Sequence, residues 1–567
     1  PDCLHRRCTV SPSLAGDRLM TGLSVFSPLP YAPVLAGLAL GGLAFSSPVK
    51  ADDTPNPHVG VHLSERSRTK AVTPPVHTQQ NRSAHSPDWD TFNAGNGAAS
   101  GFGSMAGFGQ VRWAEDWSDI VNTPPEQRRN DWFSRLKYIR LNESGSIWLS
   151  LNAEERLRYV YENQPMMGTA GKTNANRVLL RNLYGADLHL GEHIRAYAEF
   201  LYGVAGGSNT YGYQTGVQRE RLDLQQGILE IKGNVLGAKA GVIGGRQVFL
   251  DTPVFMQSAR DLTNAQQTWD GIRGYAIWKR FRVDLFDFMQ TNKLPDAVFG
   301  DGTNYSARMY GAMTSTALPA FRAMGKKSQL FADVFYIGYL YSGSTASIPT
   351  TTGTEAGSSR RDNVGMRLWG NVGPFSTSLS GVFQGGQFRP AQESQPTRAV
   401  RAYAVNASLL YNRPDLATKP SAGLQADLFS GGSYHSKDGT VGTFASPYFP
   451  LPYYNDVTLS VTSQNLIGVG PLATFALRKN LHFKLHVPFF WRESTQDAVY
   501  GTGKIYSWRN GLSGGFIGSA PQTQLAWNFA SHWTWTHDIA GFIASRSMRA
   551  AGAKSDAFYM QTLEFKF

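Results

Sequence analysis

From Ser146 onward the chain alternates apolar and polar residues in stretches of about ten, broken by Gly, Asn, Asp, Ser and Pro clusters. In SIWLSLNAEERLRYVYE (Ser146 to Glu162), Ile147, Leu149, Leu151, Leu157, Tyr159 and Tyr161 occupy one phase. Ser150, Asn152, Glu154, Arg156 and Arg158 occupy the other. A period of two sends alternate side chains to opposite faces of a strand. NRVLLRNLYGADLHL repeats the pattern, with Val178, Leu180, Tyr184 and Leu188 against Arg177, Arg181, Asp187 and His189. So do IRAYAEFLY, RDNVGMRLW and HFKLHVPFFWR. No stretch of helical period competes with it, and about eighteen strand segments follow.

Half-buried strands of a soluble sandwich alternate too, but here no second apolar layer is apparent for so many strands to pack against. A membrane supplies the missing apolar surroundings and requires every backbone polar group to be paired, which a closed barrel achieves. FYMQTLEFKF closes the chain on an aromatic, Phe567, and Tyr159, Tyr161, Trp278, Trp491, Trp533 and Trp535 stand at segment ends, as interfacial girdles do. The expected fold class is all-β: a transmembrane antiparallel β-barrel of about 18 strands with a disordered N-terminal tail. Residue 155 breaks the phase. Glu155 falls on the lipid side, so either a bulge turns it inward beside Arg156 or the strand leaves the hydrocarbon zone there.

The barrel is assigned residues 146–567, preceded by a periplasmic segment at 113–145 and a flexible tail at 52–112 rich in Asn, Ser, Pro and Gly. Residues 1–51 read as a signal-peptide region. Ala32 to Phe45 is an apolar run too short to span a bilayer, and Val49-Lys50-Ala51 offers a cleavage pattern, so export with cleavage near Ala51 is expected. Met20 is a candidate initiator, which makes the residues before it an upstream extension. Cys3 and Cys8 both precede the cleavage site, which excludes disulfides, zinc–thiolate sites and thiol catalysis from the mature chain. The net charge of +12 is spread over a chain with 17% charged residues and no basic block, a poor fit to nucleic acid.

The charge matters once the faces are assigned. The inward phase carries Arg156, Arg158, Arg177, Arg181, Arg195, Arg273, Arg361, Arg367 and Arg492, interleaved with Asp187, Glu199, Asp223, Asp284 and Asp427. Guanidinium stays charged and presents forked donors that match carboxylates, so arginines around an aqueous lumen favour anions. The carboxylates would hold arginines in place and keep a passing anion from binding too tightly to leave. Catalysis is not expected. His482, His486, His532 and His537 show no spacing suggestive of a triad, and GFGSMAG (Gly101 to Gly107) lacks the strand–turn–helix setting of a nucleophile elbow. No calcium-loop, nucleotide-binding or HExxH motif occurs, and neither a metal nor a cofactor is expected.

The segment WSDIVNTPPEQRRNDWFSRLKYIRL is similar to the stretch that precedes the barrel in the alginate export family. EERLRYVYEN, RLDLQQGILEI, GGRQVFLDTP, QTWDGIRGYAI, RVDLFDF, NVGMRLWGNVG and FFWRESTQDAVYG resemble that family in the same order, WDGIR and FFWREST most specifically. The resemblance implies an 18-stranded outer-membrane barrel with an electropositive pore that, in the type member, passes alginate. It places Arg156 and Arg158 in the first-strand motif, Arg246 in GRQ, Arg260 and Arg273 about WDGIR, Arg367 in RLWG, Arg492 in FFWRES and Asp223 in RLDL. Arg246 is in phase with the outward Ala240 and Val242; a bulge at Gly244-Gly245 would turn it inward, and a position at the rim is the other choice. The expected function is passive passage of an acidic polysaccharide or its fragments. A general anion-selective porin is the alternative, and a barrel hydrolase a weaker one. The expected partners are outer-membrane lipid, acidic polysaccharide or anionic solute, with periplasmic polysaccharide-synthesis components as candidates. Nucleic acid is excluded, and a monomer is expected.

Overall fold

The computed structural model describes residues 112–114 and 132–567, apart from loop residues 210–216, 250–251, 254, 258, 351–352, 434–438 and 447–459. The signal-peptide region and nearly all of the 52–112 tail lie outside the described residues.

Eighteen strands follow one another around the molecule, each hydrogen-bonded antiparallel to the next. They are β1 (Ile147–Asn163), β2 (Asn174–Leu190), β3 (Ile194–Ser208), β4 (Glu220–Val235), β5 (Ala238–Gln247) and β6 (Trp269–Ile277). Next come β7 (Phe281–Asn292), β8 (Gly302–Ala317), β9 (Lys326–Thr350), β10 (Gly353–Val372), β11 (Phe375–Pro390) and β12 (Arg398–Asn412). The circuit ends with β13 (Ser421–Phe429), β14 (Leu466–Arg478), β15 (Leu481–His486 and Phe489–Trp491), β16 (Phe516–Ser519 and Gln522–Ala530), β17 (Trp533–Ala544) and β18 (Asp556–Lys566). Proline interrupts β15 at Pro488 and β16 at Pro521, where a ladder N–H is missing. β18 pairs with β1 from Glu154↔Lys566 to Asn163↔Ala557, and the ring is closed. The all-β barrel expected from the alternation is therefore the fold.

The longer connections, among them 248–268, 430–465, 492–515 and 545–555, all leave the same end of the ring as the end of β1. Short turns occupy the other end, together with Phe567 and the residues before β1. That end is finished by Ile139–Arg140, which pairs with β1 at Leu149 and Trp148, below the reach of β18. Ala153 and Phe567 exchange backbone hydrogen bonds of 3.1 Å each way. Phe133 packs on the Phe567 ring at 4.9 Å, and the Lys137 ammonium lies 5.5 Å from the same ring. The segment assigned to 113–145 is divided between two places. Residues 132–145 attach at the turn end, whereas Trp113 lies inside the barrel, packed with Tyr197, Ile228 and Ile243.

The two phases go where the sequence sends them. Leu229, Ile231, Leu285, Val364, Met366 and Ile539 face outward, each more than half exposed, an apolar surface a water-soluble protein does not present on this scale. No helix among the described residues is long and apolar enough to cross a membrane. Glu155 is not turned inward by a bulge. The β1–β2 ladder runs without a register shift from Ile147↔Leu190 to Asn163↔Asn174, and Glu155 stays on the outer face, where the Tyr184 hydroxyl donates to it.

The interior is not lined by charged residues alone. Phe286, Phe288, Met309, Phe335, Ile337 and Tyr339 point inward from β7–β9 and pack against Phe249, Phe255 and Met256 of the 248–268 loop and Phe444 of the 430–465 loop. The second apolar layer that the sequence did not reveal is made of loops folded into the barrel.

A double-mutant cycle on the outer face tests the Glu155 contact by urea unfolding in lipid vesicles. Tyr184→Phe is expected to cost about 1 kcal/mol in the natural background and nothing further in Glu155→Leu. Glu155→Leu alone should leave stability equal or higher, because it takes a carboxylate off the lipid side.

Candidate functional site

The inward charges form clusters, each tied to named partners. On β1 and β2, Arg156 donates to the Asp261 carbonyl at 2.7 Å and the Thr263 carbonyl at 2.6 Å. Arg158 donates to the Leu262 carbonyl and, through Nε, to Thr562 Oγ1 at 3.1 Å. Arg181 donates to Asp261 Oδ1 at 2.7 Å and is paired with Glu154. Three predicted arginines therefore converge on one segment, residues 261–263, of a loop that starts on β5 and returns on β6. Asn264 fastens the same loop further along by donating to the carbonyls of Leu180, Val204 and Gln218. Arg156 is 0% exposed, so in this arrangement the loop covers it completely.

The other predicted residues have separate partners. Arg177 pairs with Glu162 at 2.7 Å. Asp187 accepts from Arg195 at 2.8 Å. Arg273 and Arg282 share Asp284, at 2.7 and 2.6 Å, and Arg273 also lies 5.0 Å over the Phe249 ring. Arg367 pairs with Asp333 and lies 5.1 Å over Trp369. Arg260 belongs to the 248–268 loop, where its positive φ of 54° turns the chain and its carbonyl receives the Thr263 N–H. Arg492 donates to the carbonyls of Gly514, Thr495 and Asp497, organising the 492–515 loop. Asp497 in turn accepts from Thr443 Oγ1 at 2.6 Å and the Gly432 N–H at 2.7 Å, which joins that loop to the 430–465 loop.

Arg246 sits at the rim, next to the last residue of β5. Neither neighbouring ladder shifts register at Gly244-Gly245; the shift lies between β3 and β4, where Phe200 pairs with Leu224 and Gln225 is the extra residue. Arg246 donates to Asp270 at 2.7 Å and approaches Asp223 at 3.5 Å. Asp223 itself accepts the Asp301 N–H at 2.9 Å.

Residues not singled out from sequence prove central: Asp261, Asp333, Asp301 and Asp497. Asp261 was detectable in one respect. VFLDTPVFMQSARD is too apolar and too long for a surface turn between two short strands. The histidines are dispersed, His486 beside Gln522 at 3.1 Å, His532 beside the Lys566 carbonyl at 2.8 Å and His537 beside Tyr559 at 3.0 Å. GFGSMAG lies outside the described residues.

A shared buried carboxylate should matter far more than an exposed one. Asp284→Asn is expected to destabilise the barrel by about 3 kcal/mol, since it leaves two guanidinium groups competing for a neutral partner. Asp415→Asn, whose pair with Arg413 is exposed in a turn, should leave the denaturation midpoint unchanged.

A model of the family described as alginate export matches residues 147–559. Comparison with curated protein sequences gave no match. Among solved structures, OccAB1 of Acinetobacter baumannii is similar at 12% identity, covering 76% of this chain and 99% of that one, with a TM-score of 0.46. OccAB4 of the same organism matches at 8% identity over 74% and 97%, TM-score 0.48. A BenF-like porin from Pseudomonas fluorescens Pf-5 matches at 10% over 74% and 99%, TM-score 0.46.

Proposed function

The chain belongs to the alginate export family, and from that premise we propose that it is an outer-membrane channel for an acidic polysaccharide, an alginate-like polyuronate or its fragments. The outer-membrane location follows from family and fold together, and both support a channel. The polymer is our reading, and one observation carries it. Arg156 and Arg158 donate chiefly to neutral main-chain carbonyls of residues 261–263, beside a longer contact of 3.3 Å between Arg156 and the Asp261 carboxylate. A carboxylate is the stronger acceptor for guanidinium, by roughly a factor of two. A polymer bearing a carboxylate on each sugar would therefore displace the loop from these arginines and take its place. Asp187, Asp284 and Asp333 keep other guanidinium groups in fixed pairs, which limits how tightly the polymer is held.

A general anion-selective porin is the second reading, favoured by the mixed sign of the interior. Glu154 and Asp261 sit among Arg156, Arg158 and Arg181, so no ring of a single sign is presented.

Planar-bilayer conductance separates the readings. Anion-selective currents that added polyuronate reduces are expected. Arg156→Ala and Arg158→Ala should each raise the half-blocking polyuronate concentration about tenfold, the loss of one charge-assisted contact, and Arg367→Ala, whose guanidinium is held by Asp333, should raise it less. Arg156→Ala should also increase the open conductance by releasing the loop. Cation selectivity would sink the assignment, and anion selectivity without polyuronate block would leave the general porin.

A further inference from the structure

Glu220, Asp223 and Asp301 meet at the loop-end rim and each offers a carboxylate oxygen within 4.8 Å of the others. Glu220 opens β4, Asp223 follows three residues later across an irregularity in the ladder with β3, and Asp301 closes the 293–301 loop ahead of β8. The loop is folded back on β4 by a hydrogen bond of 2.9 Å from the Phe299 N–H to the Leu222 carbonyl and by the Asp301 N–H on Asp223.

Acidic residues alone do not make a site, but here a second observation points to an occupant. Glu220 is 1% exposed, and neither of its carboxylate oxygens accepts a hydrogen bond of normal geometry among the described residues, although the Arg221 backbone N–H lies beside it. The neighbouring cations form their ion pairs with the other carboxylates. Lys293 donates to Asp301 at 2.7 Å, and Arg246 spends its short contact on Asp270, standing 3.5 Å from Asp223 and 3.9 Å from Asp301. Four carboxylates (Glu220, Asp223, Asp270 and Asp301) thus face two cations (Arg246 and Lys293), a local deficit of two positive charges. A buried carboxylate without a donor takes up either a proton or a cation.

We propose that this rim cluster binds calcium. Two oxygens on one calcium ion lie at most about 5 Å apart, twice the usual ligand distance, so the spacing of the three carboxylates fits a single ion. Carboxylate oxygens are the hard ligands calcium prefers, and water or main-chain carbonyls complete its six to eight positions. The charge of the ion cancels the local deficit. Bound there, it fastens the 293–301 loop to the wall strand β4 and stiffens the rim. The site is assembled from two segments nearly eighty residues apart, which is why no calcium-loop motif marks it in the sequence.

The test is calcium titration of the full-length purified barrel after EDTA stripping, read by calorimetry and by thermal unfolding. Calcium is expected to bind with a Kd on the order of 10⁻⁴ to 10⁻³ M and to raise the unfolding temperature saturably. Glu220→Gln and Asp223→Asn should each abolish that rise, and Lys293→Met should tighten binding about tenfold by removing a competing cation. If the stripped barrel does not respond, or if both carboxamide variants respond as the natural protein does, the site is not calcium-binding and Glu220 holds a proton. The readout is independent of channel selectivity, so this inference and the polysaccharide reading stand or fall separately.

Discussion

The seam between β1 and β18 is the contact on which the rest of the molecule depends. Lipid offers no partner to a backbone N–H or carbonyl, so a sheet in a membrane must have no open edge. β18 reaches only as far as Glu154 on β1, and the remaining stretch of β1 is covered by Ile139–Arg140 and by the Phe567–Ala153 exchange. The chain terminus and the segment before the barrel are therefore parts of the wall. Closure also fixes register, and register fixes which phase faces in. A slip of one residue along β1 would move Arg156 and Arg158 into lipid and Leu157 into the lumen.

With the phase fixed, the interior has to satisfy what it holds. A guanidinium group brings five donors and cannot shed its charge, so each inward arginine needs acceptors. Carboxylates on the wall supply some, as Asp284 does for Arg273 and Arg282. Loop carbonyls supply others: residues 261–263 for Arg156 and Arg158, Thr443 for Arg361, and Gly514, Thr495 and Asp497 for Arg492. The arginines thereby draw the loops into the barrel. The loops bring Phe249, Met256 and Phe444 with them, and these cover the apolar inner face of β7–β9.

The outward face was legible because lipid imposes one rule on it everywhere, and Val364, Met366, Leu485 and Phe489 obey it. The inward arginines were legible as the opposite phase. Their partners were not, because alternation says nothing about what lies across a lumen: Asp261 is more than a hundred residues from Arg156. The strand LFADVFYIGYLY was opaque for a different reason. It is apolar on both phases, so its pattern does not tell that Phe335, Ile337 and Tyr339 face a loop while Val334 and Leu340 face lipid. Arg246 shows the limit of phase itself, since near the rim a side chain on the outer phase still reaches Asp223 and the incoming loop.

On the proposed reading, the interior contacts fall into two kinds that differ in how readily an anion exchanges them. Arg367 with Asp333, and Arg273 and Arg282 with Asp284, are charge-to-charge contacts in which an arriving carboxylate gains nothing over the one already there. Arg156, Arg158 and Arg492 rest mainly on neutral carbonyls, and for them an arriving carboxylate is the better partner. Arg181 belongs to the first kind yet grips the same loop through Asp261, whose other oxygen stands 3.3 Å from Arg156, so the loop would be loosened at its carbonyls and tethered at Asp261. A loop held in that way can be displaced by an anionic polymer and return when it has passed. The same guanidinium groups would then serve as anchors in its absence and as binding sites in its presence.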